Sequence, residues 1–576
     1  MLKNIIYVKI ISGSIILLMK KILNYINLHP EIFTVLGLSI IFYFVFFHNI
    51  WAYALMDVDE SRYVSMAKDM FNSKDYLTLY LNNEFFFEKP PLYFWGECLS
   101  FKLFGVVNEF TARFPVALYG SACCFLIYIM GRKIISRSYG VISALILATS
   151  LEFVILAKFA ILDIVVTTCI GFSLCLGMIV YFCRESRKKY YWWLFYLFSG
   201  LAVMAKGIPG FVIPFGGMFL ISILSGKFKE IFKPIYFIPG ILIFLLIVLP
   251  WHITMFKMYN PYFWDEYIIK HHLARFLGSE VINREQPFYF YFITLLWGFF
   301  PWILSCVSVW IKNLIDVIKN KKFRYKYENL TTAQRFMLYN SAIVIFILLF
   351  FSASETKLIT YILPIYASLA FLGGYVWHNY IFKKENEFLI RKTAYVIGGI
   401  MILASIGCIL TPVYLPEQLY LDIKSAKTFC LLTSFACGLG IILFTRKRLY
   451  AGVFAGLVIF MTLFSAIATE KFFEIDYKFG QDDLIEFAKY AKEKDMSLTT
   501  FGFGHKYSLV YYGEKPVIYG LELRPEDLKK ELKRESNFVI VKNKDMKNFI
   551  NKNFDIIKKG RKYSLLEERG KYVPNN

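Results

Sequence analysis

Two stretches set carboxylates beside cations in a chain otherwise poor in charge, with 19% Asp, Glu, Lys and Arg. One is Asp59-Glu60-Ser61-Arg62-Tyr63; the other is Glu88-Lys89, set between Phe85-Phe86-Phe87 and Pro90-Pro91-Leu92-Tyr93. Paired carboxylates of this kind can serve as general acid and base. Further along stand Asp163, Lys206, His271, His272, Arg275, Lys357 and Tyr361. Several cations with a few carboxylates suit a phosphate group, which accepts charge-assisted hydrogen bonds from Lys and Arg. Glu88 with His271 and His272 is the one set that could hold a divalent metal. Each residue also has a plainer role. Asp59 is well placed to cap a helix that follows it, and Arg62 lies three residues on, on the same side of the turn. Asp163 would stabilise a helix amino terminus and Lys206 a carboxy terminus. Lys357 precedes a helix amino terminus, where a cation is disfavoured, so some other interaction must hold it.

The elements that position these residues belong to a bilayer. Apolar runs of near-spanning length predict thirteen helices. They lie near 31–51, 115–131, 138–157, 163–183, 191–205, 209–225, 234–255, 290–311, 335–352, 358–378, 393–412, 428–445 and 450–468. With the amino terminus inside, the cytoplasmic gaps are basic: Arg132, Lys133 and Arg137; Arg184, Arg187, Lys188 and Lys189; Lys227, Lys229 and Lys233. Later gaps hold Lys312, Lys319, Lys321, Lys322, Arg324 and Lys326, then Lys383, Lys384, Arg391 and Lys392, then Arg446, Lys447 and Arg448. The short outer gaps offer little beyond Lys158, Lys206, Lys357, Lys424 and Lys427. This is the positive-inside pattern. It gathers Asp59, Arg62, Glu88, Lys89, Asp163, Lys206, His272, Arg275 and Lys357 on one outer face, where they suit a phosphorylated lipid better than an ion pathway.

Composition agrees. The mean hydropathy is +0.50, and 57% of residues are hydrophobic. The formal charge of +22 is mostly that of the inner loops, and no basic groove interleaved with aromatics argues for nucleic acid. The ten cysteines sit in apolar stretches without metal spacing and read as small buried hydrophobes. Residues 1–30 form a cytoplasmic or interfacial segment, since no cleavage pattern follows the apolar run 5–19 and Lys20-Lys21.

Two outer loops are more than linkers. In the first, 52–114, Tyr63, Met66, Ala67, Met70 and Phe71 share one helical face and Ser65, Lys68 and Asp69 fall on the other. That predicts a short amphipathic helix in the membrane interface. The prolines after Lys89 keep it out of a helix. The run 92–104, ending at Gly105, is too short to span and also lies along the interface. The second loop, 256–289, carries Tyr267, Lys270, His271, His272, Arg275 and Phe276. The tail, 470–576, alternates amphipathic 481–494, apolar runs 498–503, 517–519 and 538–541, and a helical stretch 525–534. This predicts a small soluble α/β domain facing the periplasm, after a transmembrane domain over 31–469.

In order along the chain, these residues resemble the aminoarabinose lipid A transferase family, membrane glycosyltransferases of the protein O-mannosyltransferase type. The resemblance is carried by Asp59-Glu60-x-Arg62-Tyr63, Phe87-Glu88-Lys89-Pro90-Pro91-Leu92-Tyr93-x-Trp95 and Phe104-Gly105-x-x-Asn108-Glu109-x-x-x-Arg113 with Pro115. It continues through Leu162-Asp163, Lys206-Gly207, Leu249-Pro250-Trp251, His272-Leu273-x-Arg275-Phe276, Pro301-Trp302 and Ser354-x-x-Lys357-Leu358-x-x-Tyr361-Ile362-Leu363-Pro364. Lys270-His271 departs from the acidic residue that often precedes the family's histidine. The resemblance implies a polytopic helical fold of the GT-C type, located in the bacterial inner membrane and monomeric. It implies transfer of a sugar, with inversion, from polyprenyl (undecaprenyl) phosphate to lipid A or a protein at the outer face. Asp59 falls at the catalytic position. Arg62, Lys89, Arg275 and Lys357 fall at phosphate-binding positions, and Glu60, Tyr63, Glu88, Asp163, Lys206, His272 and Tyr361 at substrate-binding ones. The competing reading from another class, a transporter of lipid-linked sugars, predicts broken helices, charge at mid-bilayer and related halves. No such pairing of halves is visible.

Overall fold

The structure of the chain, a computed structural model, describes residues 28–274, 286–319, 327–414, 417–468, 480–521, 537–549 and 554–568. Each of the thirteen predicted spans contains helix. The first is α1 (Pro30–Phe42), which runs on as a π-turn to Phe47. The outer loop follows with α2 (Asp59–Ser73), a β1–β2 hairpin (Tyr80–Leu81, Glu84–Phe85) and α3 (Leu92–Phe104). The membrane body continues through α4 (Glu109–Ile134), α5 (Arg137–Ala148), α6 (Leu151–Leu156), α7 (Asp163–Ile179), α8 (Glu185–Lys206), α9 (Ile208–Leu224) and α10 (Pro234–Tyr259). It ends with α11 (Phe290–Gly298), α12 (Ile303–Lys319), α13 (Thr332–Ser352), α14 (Ile365–Lys383), α15 (Glu387–Tyr414), α16 (Glu417–Arg446) and α17 (Tyr450–Leu463). Among the described residues, seven helices are long and apolar enough to cross a membrane by themselves; α5, α7 and α9 are shorter apolar helices.

Two predicted spans are broken, and the breaks meet. The third divides at Thr149 and Ser150, whose hydroxyls bond back to the carbonyls of Leu145 and Ile146; such back-bonding loosens a helix. The eighth divides around Pro301, which has no N–H to give. The backbone groups freed by the breaks pair across the gap. Leu151 N–H donates to the Phe300 carbonyl at 3.2 Å, and the Trp302 indole donates to Thr149 Oγ1 at 3.2 Å. In lipid, unsatisfied backbone would be costly, so such breaks survive only where protein re-satisfies them. The tenth span also starts later than expected, at Ile365, because Pro364 sets its first turn.

The outer loop is tied down by a buried ion pair. Arg113 of α4 meets Glu60 of α2 through two bonds of 2.6 Å, and both side chains are fully buried. Arg113 spends its other donors on the carbonyls of Ile50, Tyr53 and Ala54 and lies 3.9 Å over the Tyr53 ring. Glu60 also accepts the N–H groups of Met56 and Ala160, each at 2.9 Å. The span end, the start of α2 and the turn before α7 therefore share one satisfied cluster.

The soluble domain holds α18 (Asp482–Glu493), β3 (Ser497–Phe501), α19 (Ser508–Gly513), β4 (Val517–Gly520), β5 (Asn537–Lys542), β6 (Phe554–Lys559) and β7 (Tyr563–Glu568). Its sheet runs β4-β3-β5-β7-β6, with β3 parallel to β4 and β5, and β7 antiparallel to β5 and β6. The predicted helix 525–534 lies outside the described residues. This domain corrects the reading of α2. Its apolar face is buried as expected, but Ser65, assigned to the opposite, polar side, is buried too. The polar side faces protein, where Lys68 reaches Glu514 at 2.6 Å and the Tyr511 carbonyl at 3.2 Å. Asn82 exchanges hydrogen bonds with the backbone of Val517 at 2.9 and 2.7 Å, and Tyr512 donates to Glu109 at 2.7 Å.

Removing one partner of a buried ion pair strands the other, a cost of roughly 3–5 kcal/mol. Arg113→Met should therefore lower the melting temperature of the detergent-solubilised protein far more than Arg62→Met. Equal, small shifts would show that the cluster does not hold the outer loop.

Candidate active site

A cavity of about 310 Å³ opens between the first turns of α7 and α9, the end of α13 and the turn before α14. One or two turns into the helices its wall is apolar, with Val166 and Ile170 from α7, Val212 and Ile213 from α9, and Phe350 and Phe351 from α13. Where α7 and α9 begin, it gains Lys89, Lys206, His271 and Tyr361. Ile208 and Leu273, on its rim, are 40% and 46% exposed, so its apolar side is not sealed. The shape suits an amphiphile with a long apolar tail and an anionic head.

Local structure aims each polar group. Lys206 ends α8, and Gly207, at φ 77°, turns the chain straight into α9. The Lys206 ammonium bonds the Asp163 carboxylate in the first turn of α7 and sits 5.1 Å over the Tyr361 ring. Asp163 thus both favours its helix amino terminus and neutralises Lys206. Pro90 and Pro91 keep Lys89 out of α3, and its nearly buried ammonium bonds the Glu88 carbonyl at 3.0 Å. Lys357 is held as its awkward position demands, donating to the carbonyls of Gln286 at 2.9 Å and Ser354 at 2.6 Å. An ammonium has three donors, so one remains for a ligand.

The Asp59 motif adjoins this group. Asp59 opens α2, but Val58 is the capping residue and no side-chain cap forms, which corrects the capping expectation. Asp59 instead pairs with Arg62 at 3.0 Å and keeps its side chain 64% exposed. Arg62 also bonds the Tyr63 hydroxyl at 3.3 Å. Burial pulls the Arg62 guanidinium down, but Tyr63, Glu88 and Asp59 outweigh it and keep it firmly charged. Burial raises the Tyr63 hydroxyl well above its ordinary range, so it stays a neutral donor and acceptor.

Three expected site residues need correction or fall outside view. Glu60 presents no face to a ligand, because both its oxygens are taken by protein donors. Arg275 and the side chain of His272 lie outside the described residues. His271 stands 3.7 Å from Glu88 and 3.4 Å from Glu266. Among the described residues no group of three metal-ligating side chains forms. Glu88 also has the Lys89 ammonium 3.9 Å away. The metal set Glu88, His271 and His272 is described only in part, because the His272 side chain lies outside the described residues.

Comparison with known proteins places this geometry. The family model of dolichyl-phosphate-mannose-protein mannosyltransferase matches residues 31–267. An uncharacterized protein of Aquifex aeolicus is 30% identical over 344 residues, 60% of this chain and 64% of its own. An undecaprenyl phosphate-alpha-4-amino-4-deoxy-L-arabinose arabinosyl transferase of Erwinia tasmaniensis is 25% identical over 389 residues, 65% of this chain and 66% of that one. The match thus spans just under two thirds of either relative. The crystal structure of ArnT from Cupriavidus metallidurans bound to undecaprenyl phosphate shares the fold, with TM-score 0.74 and 19% identity over 93% of this chain and 97% of that one. The chain is thus similar in sequence to an aminoarabinose transferase and shares the fold of ArnT.

Sequence reasoning missed two features of this site. Glu266, four residues before Lys270 and bonded to it at 2.9 Å, flanks His271. Asp57 grips the soluble domain through Ser508, at 2.8 Å to its N–H and 2.5 Å to its hydroxyl. Glu266 carried a helical i, i+4 signal; Asp57 carried none, since its partner lies 451 residues away. If the cavity takes an amphiphile, Val212→Trp should fill it. Retention of hexadecyl phosphate, read by native mass spectrometry, should then fall roughly tenfold with thermal stability kept. Unchanged retention would put the binding site elsewhere.

Proposed function

We propose that this protein moves a sugar, aminoarabinose or an amino-hexose or hexose, from a polyprenyl phosphate carrier to a phosphate of lipid A. The reaction takes place at the periplasmic face of the bacterial inner membrane. The observation that carries the reading is the amphipathic cavity, with an apolar wall for an isoprenoid and Lys89 and Lys206 at its polar end. Similarity to the Erwinia relative supports it, since that protein is by name an undecaprenyl phosphate-alpha-4-amino-4-deoxy-L-arabinose arabinosyl transferase.

Cleavage of the carrier's glycosyl bond leaves negative charge on phosphate and positive charge on the sugar. Lys89, with Arg62, Arg275 and the free donor of Lys357, stabilises the phosphate in a setting of low dielectric. Lys206 is already neutralised by Asp163, so this pair shapes the pocket beside Tyr361. Asp59, exposed and oriented by Arg62, steadies the sugar or positions the acceptor. A lipid A phosphate is already an anionic nucleophile and needs no strong base. A single displacement inverts the anomeric centre.

A protein acceptor is the second reading, favoured by the match to a family named for protein mannosyltransferases. Asp59 would then act as the base for a Ser or Thr hydroxyl. Mass spectrometry of lipid A from a deletion strain and its complement decides between them. Loss and return of a sugar on lipid A is the expected result; unchanged lipid A with altered glycoproteins would favour the second reading.

Asp59→Asn should abolish transfer from the purified carrier while insertion and melting temperature stay as in the wild type. Near-normal turnover would remove Asp59 from the reaction. Losing one charge-assisted bond to phosphate costs about 1.5–3 kcal/mol, or roughly ten- to hundredfold. Lys89→Ala should weaken carrier use by that much, and Lys424→Ala should not. Reporter fusions after Phe182, Trp310 and Phe444 should read cytoplasmic, and after Thr469 periplasmic. A cytoplasmic tail would put the site on the wrong face.

A further inference from the structure

The soluble domain reaches the Asp59 motif through a single loop. Asp57 Oδ1 accepts both the Ser508 N–H at 2.8 Å and the Ser61 hydroxyl at 2.6 Å, so the residue after Tyr507 is fastened to Asp57, two residues before Asp59. Tyr507 packs against the hydrophobic core of the membrane body. Burial raises its hydroxyl above the ordinary range, Arg62 opposes this, and Glu88 and Asp57 add to it. Before it, the His505 ring lies nearly parallel to the Tyr507 ring, 5.7 Å away, and meets the Tyr519 ring at 4.5 Å. The Tyr519 hydroxyl donates to the Lys506 carbonyl at 2.9 Å and fixes the loop backbone.

Other contacts also dock the domain. Lys68–Glu514, Asn82–Val517 and Tyr512–Glu109 join the domains. Among the described residues neither the His505 ring nor the Tyr507 hydroxyl makes a hydrogen bond. On the other side of the loop, the Nε of Arg62 is buried and unpartnered. A rigid aromatic pair with unspent hydrogen-bonding groups, beside a cation, is what a phosphorylated sugar needs: rings for its apolar face, donors for its phosphate.

We propose that His505 and Tyr507 form the acceptor side of the active site and contact the phosphosugar headgroup of the acceptor lipid, opposite the carrier in its cavity. This rests on the transferase reading above. The test uses the full-length protein in detergent, with lipid A as acceptor and undecaprenyl phosphate aminoarabinose as donor. His505→Ala with Tyr507→Ala should raise the KM for lipid A roughly tenfold or more, leaving the donor KM and melting temperature unchanged. Tyr507→Phe should recover part of the loss. Unchanged acceptor KM, or a rise in both KM values together with a lower melting temperature, would overturn the proposal. A wild-type protein that turns over no lipid A would instead overturn the transferase reading, and this assignment with it.

Discussion

The Glu60–Arg113 pair is the constraint on which the α2 region of this molecule depends. Two charges removed from water are tolerable only when every remaining donor and acceptor finds a partner. Here that condition recruits the carbonyls of Ile50, Tyr53 and Ala54 and the N–H groups of Met56 and Ala160. The cluster therefore sets where the first span ends, how α2 begins and where the turn before α7 passes. It also separates two adjacent carboxylates. Once Glu60 is turned inward, Asp59, about 100° around the helix, must face the open side with Arg62. The exposed acid is thus a consequence of the buried one.

From that fixed start the polar groups are distributed by helix ends. Lys206 and Asp163 sit at a helix carboxy terminus and a helix amino terminus, where each charge is favoured by its own backbone, and their mutual bond neutralises both. Lys357 has no such help and takes two carbonyls instead. Lys89, excluded from α3 by the prolines, bonds its neighbour's carbonyl and stands 3.9 Å from the Glu88 carboxylate. The three lysines are thus held in three different ways.

Much of this was legible in the chain. The thirteen apolar runs needed only length and composition, and the α2 face needed only a 3.6-residue period. The break in the third span was not legible, because Thr149 and Ser150 interrupt a helix only once Trp302 and Phe300 are there to take the freed groups. The role of Glu60 was hidden for the same reason: Asp and Glu side by side look alike until Arg113, 53 residues on, selects one. The partner of Lys68, on the polar side of α2, lies 446 residues away, at Glu514. Local periodicity describes elements, and long-range pairing decides which polar face meets water.

The C-terminal domain is what changes the setting of α2. An amphipathic helix lying in the interface normally keeps its polar face in water. In this protein the polar face of α2 is covered, with Lys68 shared between Glu514 and the Tyr511 carbonyl, and Asp57 clamped onto Ser508. Covering it removes water from one side of the helix that presents Asp59, which strengthens every charge interaction there. The domain thus sets the surroundings of the helix that carries Asp59, through contacts made more than 400 residues away in the chain.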